Sequence, residues 1–551
     1  MAYDLLEEKW LFVRRRASGP GRIAPWQLVE NHETDPVDAL DFPRADLNGG
    51  VVQFLIGLLQ TAFPPKDEKA WRGFWNSPPE PEVLRGALAR EADAFLLDGD
   101  GPRFMQDKTL TAAEAGEPTG VASLFVETPG GKTEKDNADL FVKRGRIERL
   151  CPACVAAALF TLQTNAPSGG VGHRTGLRGG GPLTTLVLPA RDVTLWKTVW
   201  GNVFPRTTIE SWRDGGPAPR EFGIYPWLAP TRTSEAGREI HPSEVDPLHA
   251  YWGMPRRIRL LVEQGEAQPC HLCGQESEAF VARFLAKNYG NNYSGTWRHP
   301  LTPYTPVKEG FLSMKGTPDG VGYKLWRGAV VSEPQKGGRL PAKNVQYAIN
   351  NRLEELAPEN WIEYRLWAFG PDMDNMKARS WAEGMMPVLT PPKQVGADSL
   401  GADPYYQEVL RLVYAAEAAV KALRQAVRYG LMPKMDAKID ASLFQGVALR
   451  FWSDTQQPFQ DTAAGLRQAM AQSQDTASVR IAWLARMKKA AVAIYRRAGE
   501  TKVDWRTAPE AAVRKEVWLA GKLSATDKEM ANILNLPVPA GKPGKRGRKA
   551  G

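Results

Sequence analysis

The sequence predicts an α+β protein in two parts, a large mixed α/β domain over residues 1–390 and a C-terminal antiparallel four-helix bundle over residues 403–537. Three observations predict it. Up to about residue 390, short strand-like runs such as Leu11-Phe-Val13 and Leu183–Pro189 alternate with buried-helix patterns such as Val51–Phe63. Past Pro391 the strand patterns stop, and apolar residues recur with a helical period between caps. Four cysteines fall into two Cys-x-x-Cys pairs, Cys151/Cys154 and Cys270/Cys273, which offer the first domain a cross-link besides its core.

A chain of 551 residues has room for two or three domains, and 43% apolar content with 18 Trp supplies a core. The net charge of +9 favours a polyanionic partner. The start MAYDLLEEKWLFVRRR lacks the long apolar region of a secretory signal, and no run of 18 apolar residues occurs. A cytoplasmic location without a membrane span is the expectation.

From the N-terminus, Leu11-Phe-Val13 reads as a strand and RRRASGPGR as a basic turn-rich connection. Val51–Phe63 is too short to span a membrane and suits a buried helix, while the Pro-rich segment 63–81 reads as a surface connection. Ser123–Leu150 is a long polar loop carrying Lys132, Lys135, Lys143, Arg144, Arg146 and Arg149. Residues 194–265 are loop-rich, with Trp196, Trp200, Trp212, Trp227 and Trp252 packing a core, and Glu278–Lys287 reads as a helix.

Two Cys-x-x-Cys pairs with no spare cysteine match a closed tetrahedral zinc site, one structural zinc per chain. The alternatives are chance pairing of surface cysteines and a disulfide, which fits an intracellular protein badly. The pairs lie 115 residues apart, so a metal would clip distant parts of the domain, and four thiolates leave no open position for substrate. Asn165–Gly181 holds seven glycines with His173, Arg174 and Arg178. No G-x-x-x-x-G-K-[ST] is present, and Thr175 stands where the dinucleotide fingerprint wants glycine or alanine. A structural loop and a basic, side-chain-poor loop for a nucleic-acid groove are the readings that remain.

CPAC, the apolar helix after it, NAPSGGVGHRTGLRGGGP and CHLCGQES together resemble the large subunit of the type I-E CRISPR surveillance complex Cascade, the CasA family. The similarity extends over most of the chain. The resemblance implies a non-catalytic subunit that recognises the protospacer-adjacent motif of target double-stranded DNA through the minor groove and promotes R-loop formation. Its implied partners are the backbone and small subunits, the guide RNA, the target duplex and a helicase-nuclease that it helps recruit.

Carried onto this sequence, the resemblance assigns the groove-reading loop to Ser168, Gly169, Gly170, Val171 and Gly172. It assigns a contact with the 5′ handle of the guide RNA to Phe125. A further minor-groove contact falls on Asn288 or the neighbouring Lys287, and both stay open. In FGPDMDNMKARSW, where Gly370-Pro-Asp reads as a turn, a strand-separating wedge falls on Asp374 and Asn375.

Residues 391–402 read as a linker. Asp403 and Pro404 open the first helix of the bundle, and Gly430 closes it. The second spans about 440–468 with a kink at Pro458, the third about 475–498, and the fourth starts at the Thr507…Glu510 capping box. The third displays Arg480, Arg486, Lys488, Lys489, Arg496 and Arg497, and Lys488, Lys489, Arg496 and Arg497 are candidates for non-specific contact with DNA. The tail 538–551 carries five basic residues and reads as disordered. No catalytic signature was found: no H-E-x-x-H, no Walker pair, and six histidines without ligand spacing. The competing hypothesis is a zinc-stabilised RNA-processing or RNA-modifying enzyme.

Overall fold

The computed structural model describes residues 2–128, 145–212, 223–317, 320–333, 337–356, 363–374, 377–389, 403–431, 441–502 and 509–537. They divide into two compact units, Met1–Pro318 with Gly328–Val388, and Asp319–Arg327 with Leu389–Gly551. No helix among the described residues is long and apolar enough to cross a membrane.

In the first unit β1 (Leu11–Arg15) pairs antiparallel with β2 (Gly19–Ile23) and β3 (Val37–Leu40). The buried helix expected at Val51–Phe63 is α1 (Ala45–Ala62). Its Phe54 meets Trp10, Phe95, Phe104, Phe160 and Trp252 edge-on, with ring centroids 5.3–5.9 Å apart, so one ring organises the core of the unit. The Pro-rich segment 63–81 is more than a connection, because it contains α2 (Glu68–Asn76), capped by Asp67. Trp71 of α2 and Trp200 each donate an indole N–H to the other's carbonyl at 2.9 Å, which satisfies two buried donors.

The two-residue strand β4 (Thr119–Gly120) adds to a long hairpin described below. The helix α3 (Pro152–Asn165) follows Cys151 and begins with Pro152, a proline at the first helical position that costs no hydrogen bond. Strand β5 (Thr184–Leu188) realises the Leu183–Pro189 expectation. The helix expected at Glu278–Lys287 is instead a strand. β6 (Arg257–Pro269) and β7 (Glu276–Lys287) form an antiparallel hairpin whose turn carries Cys270–Cys273. Register shifts at Leu261/Val262 and Gln264/Gln268 break the two-residue alternation, which leaves Phe280, Val281, Phe284 and Leu285 at helix-like spacing.

A small hairpin, β8 (Tyr304–Val307) with β9 (Gly310–Ser313), precedes α4 (Lys343–Asn351). The last sheet of this unit runs β11–β10–β5, with β10 at Glu363–Asp374 and β11 at Lys377–Leu389. Gly370-Pro371-Asp372, read as a turn, lies inside β10, where the Asp372 carboxylate forks onto Arg379 at 2.9 and 3.1 Å.

The second unit is helical. It comprises α5 (Pro404–Leu431), α6 (Ala441–Asp454), α7 (Gln456–Ala471), α8 (Ala477–Lys502), α9 (Pro509–Lys522) and the short α10 (Lys528–Ile533). The expected second helix is two, with the break at Thr455. Pro458 has no N–H to give the carbonyl of Asp454, so the chain ends one helix and starts the next there. Asp403 caps α5 through the N–H of Tyr405 at 2.8 Å, and Trp483 of α8 donates to the Leu412 carbonyl of α5 at 3.1 Å. Residues 319–327 belong to this unit: the Tyr323 ring stacks on Phe459 at 4.3 Å and its hydroxyl reaches Thr455 at 2.7 Å.

Candidate nucleic-acid interface and metal centre

Leu150 and Val281 exchange two backbone hydrogen bonds, at 3.0 and 2.9 Å, which lays the chain before α3 beside β7. His271 donates its N–H to the Arg149 carbonyl at 3.2 Å, and the Gly274 N–H closes the hairpin turn on Cys270 at 2.8 Å. Both cysteine pairs are thereby held in one place. The four sulfurs lie within 4.8 Å of one another, and Cys151, Cys154 and Cys270 are buried while Cys273 is half-buried.

Cys151 Sγ and Cys273 Sγ are 3.8 Å apart, far beyond a disulfide bond. A tetrahedron with metal–sulfur bonds of about 2.3 Å has edges of about 3.8 Å, so the donor set fits a closed tetrahedral metal site. The crowding divides the thiols. Hydrogen bonding with Cys151 and Cys154 pushes the Cys273 thiol down to about 6, and Cys151 pushes Cys154 up. A thiolate is the ligand form, and a metal ion at this position would take the place of the protons on the thiols that the cluster holds up.

From this clip α3 and β7 run on and meet again at their far ends. Beyond α3 comes the glycine loop, and beyond β7 come Asn288 and Tyr289. The Asn288 amide donates to the Val171 carbonyl at 2.8 Å, and the Tyr289 N–H donates to the Gly172 carbonyl at 2.8 Å. Ser168–Gly172 and Asn288, far apart in sequence, thus form one surface. Gly172 has φ +75°, and a Cβ there would come 2.9 Å from the Asn288 Cβ, so glycine is required on both counts. Lys287 does not join this surface, because its ammonium is turned to the Glu114 carbonyl at 3.0 Å.

Val171 is the exposed tip of the loop, 78% accessible. The backbone N–H groups of Ser168, Gly169, Gly170, Val171 and Gly172 donate to nothing among the described residues. Two arginines that sequence reasoning did not assign stand out, Arg178 in the core after the loop and Arg256 against the loop's two ends. Arg178 is buried and donates to Thr184 Oγ1 and Thr302 Oγ1 at 2.9 Å and to Gln53 Oε1 at 2.7 Å. Arg256 is 2.5 Å from His173 Nδ1 and also donates to the Pro167 carbonyl. Burial pushes both guanidinium groups down to about 10, and neither has a carboxylate partner among the described residues. The only sequence signal for Arg256 was the basic run Arg256, Arg257, Arg259 after a proline.

The remaining expected residues stand apart. Phe125 is 4% exposed, with the Arg44 guanidinium 4.5 Å over its ring, so stacking on a base requires displacing Arg44. Asp374 ends β10, and Asn375 lies outside the described residues. So do most of the basic loop, the linker 391–402 and the tail 538–551.

On α8, Lys489, Arg496 and Arg497 are exposed and Lys488 half-buried. Arg496 is paired with Glu516 at 2.6 Å. Arg480 is not displayed at all: it is 5% exposed and bound to Glu408 of α5. Arg486 is turned to Pro458 and Thr462 at 3.1 Å.

Fold and site together define a class of protein, a two-unit α+β chain in which a four-cysteine cluster stands behind an exposed glycine loop. Thermobifida fusca Cse1 shares this fold, with a TM-score of 0.67 at 16% identity over 97% of this chain and 98% of that one. Thermus thermophilus CasA matches at 0.64 and 16% identity, covering 95% and 99%. A chain of a CRISPR RNA-guided surveillance complex matches at 0.62 and 16%, covering 94% and 99%. Residues 4–494 match the profile of CRISPR-associated protein Cse1, and the chain belongs to that family.

Proposed function

We propose that this chain is the large, non-catalytic subunit of a type I-E Cascade and that its glycine loop reads the protospacer-adjacent motif of target DNA. Family membership supports the place in the complex. The single observation that carries the groove reading is the row of five unpartnered N–H groups on the exposed loop Ser168–Gly172. A minor groove about 6 Å wide excludes most helices but admits a bare backbone. There the N–H groups meet the N3 and O2 acceptors of the bases, a degenerate code, so several motifs are tolerated.

Asn288 flanks the loop as a second donor, and Lys287 is the alternative only if it leaves Glu114. Asn375 is the wedge that holds the first base-pair step open, with Asp374 beside it. The handle of the guide RNA lies against the Phe125 region, and the assembled complex recruits a helicase-nuclease. The cysteine cluster holds one structural zinc. The ion would supply a fixed cross-link, and the protein's own residues carry out recognition.

The test is duplex binding by the reconstituted complex with Gly170→Val and Asn375→Ala. Gly170 has φ +118°, where any side chain is strained, so Gly170→Val is expected to abolish motif-dependent binding. Asn375→Ala should slow opening of a closed duplex yet spare a target whose first seed pairs are mismatched, because stacking of roughly 1.4 kcal/mol per step is already lost there. Equal harm to closed and pre-opened targets would rule out the wedge.

A further inference from the structure

The loop that carries the proposed reading is closed by one half-buried cation. Arg256, in the segment just before β6, donates through one amino nitrogen to the carbonyl of Pro167, the residue before Ser168. Through the other it meets His173 Nδ1 at 2.5 Å, the residue after Gly172. The two contacts fall on the two ends of the five-residue loop. A guanidinium has no acceptor, so His173 must accept at Nδ1 and carry its proton on Nε2. Arg256 is itself anchored from behind, its N–H donating to Gln163 Oε1 at 2.9 Å and its carbonyl accepting from Gln163 Nε2 at 3.0 Å. Gln163 lies on α3, so the clamp is referred to the same helix that leads into the loop.

We propose that Arg256 is the positioning residue of the glycine loop, fixing the separation of Pro167 and His173 and with it the row of N–H groups presented to the groove. This rests on the groove reading for its consequence but not for its geometry. The clamp needs neutral His173, because an imidazolium would turn an N–H toward the guanidinium. The charged groups around it are Arg256 and, on the same loop, Arg174, which is turned to Ser234 Oγ at 2.8 Å and the Tyr289 ring at 5.8 Å. Asn288 and Tyr289 face the loop without charge. Burial first, and then Arg256, lower the affinity of His173 for a proton. The unfolded chain therefore binds the proton more readily, and the clamp is intact at neutral pH and lost as pH falls below the ordinary imidazole range of about 6.5.

Two measurements decide it. In the full-length chain, the His173 ring resonance, assigned by its loss in His173→Gln, should titrate below the ordinary histidine range and return toward it in Arg256→Gln. An unchanged titration in Arg256→Gln would overturn the clamp, whatever the chain does with DNA. In the assembled complex, Arg256→Lys should bind a motif-bearing duplex at least about tenfold more weakly, since one ammonium cannot span both acceptors and a lost charged hydrogen bond is of that size. Wild-type affinity should hold from neutral pH down to the ordinary imidazole range and fall only below it, and His173→Gln, whose amide oxygen accepts but does not titrate, should flatten that fall. If Arg256→Lys binds like wild type, or wild type and His173→Gln fall in parallel, while Gly170→Val abolishes binding, the positioning role is wrong and the groove reading stands. If Gly170→Val binds normally, the groove reading is wrong, and the titration alone decides the clamp.

Discussion

A side chain at Gly290 would drive its Cβ into the carbonyl of Pro255, backbone against backbone, with Arg257 N at 3.4 Å on the same side. Gly290→Ala is therefore expected to destabilise the first unit by about 1–3 kcal/mol, the range for overpacking a close contact, in denaturant unfolding. Gly73 offers the contrast, because it lies exposed inside α2, and a methyl group there would meet nothing within 4 Å. Gly73→Ala should stabilise by about 0.5–1 kcal/mol by the same measurement. At this scale the sequence was legible where chemistry is local. Cysteine pairs and glycine runs announce themselves, whereas Arg256 is one basic residue among 71 and owes its place to Pro167 and His173, which lie on another segment.

Helix α8 shows how an element can mislead when only its composition is read. Its basic residues have an apparent helical face, but Arg480 turns inward to Glu408 while Lys489 stays exposed. The side chains of Arg480 and Glu408 are 7% and 16% accessible, so their pairing is largely shielded from water. Arg480→Ala leaves Glu408 paired with Arg411 at 3.2 Å, so it should cost the helical unit about 1–3 kcal/mol in thermal or denaturant unfolding. Lys488→Ala with Lys489→Ala should leave that stability within about 0.5 kcal/mol, while weakening duplex binding by the complex and flattening its salt dependence. Strand β7 misled for a related reason. Bulges in the hairpin moved its apolar residues to a helix-like spacing, and only its partner β6, thirteen residues long, identifies it as a strand.

Across the molecule the cysteine cluster links what the chain separates, because α3 and β7 start at it and deliver Val171 and Asn288 to each other. The freshly purified, reduced protein is expected to hold close to one zinc per chain. Cys273→Ser should lose the metal, lower the melting temperature of the first unit and weaken motif-dependent binding, as read by metal analysis, calorimetry and duplex titration. Loss of metal with unchanged binding would separate the clip from the loop. Pairing of the cysteines was legible from spacing, but the meeting of their elements at the opposite end depends on the register of β6 with β7, which spacing does not encode.

Tyr323 and Trp326 lie near the middle of the chain yet are buried within the helical unit, at 1% and 0% exposure. Inheritance is constrained by that. A recombination event with its breakpoint near residue 390 would bring in a new set of helices with an aromatic slot on Phe459 shaped for some other chain's segment. The helices and residues 319–327 must therefore descend together, and hybrids between relatives should survive only when both pieces come from the same parent.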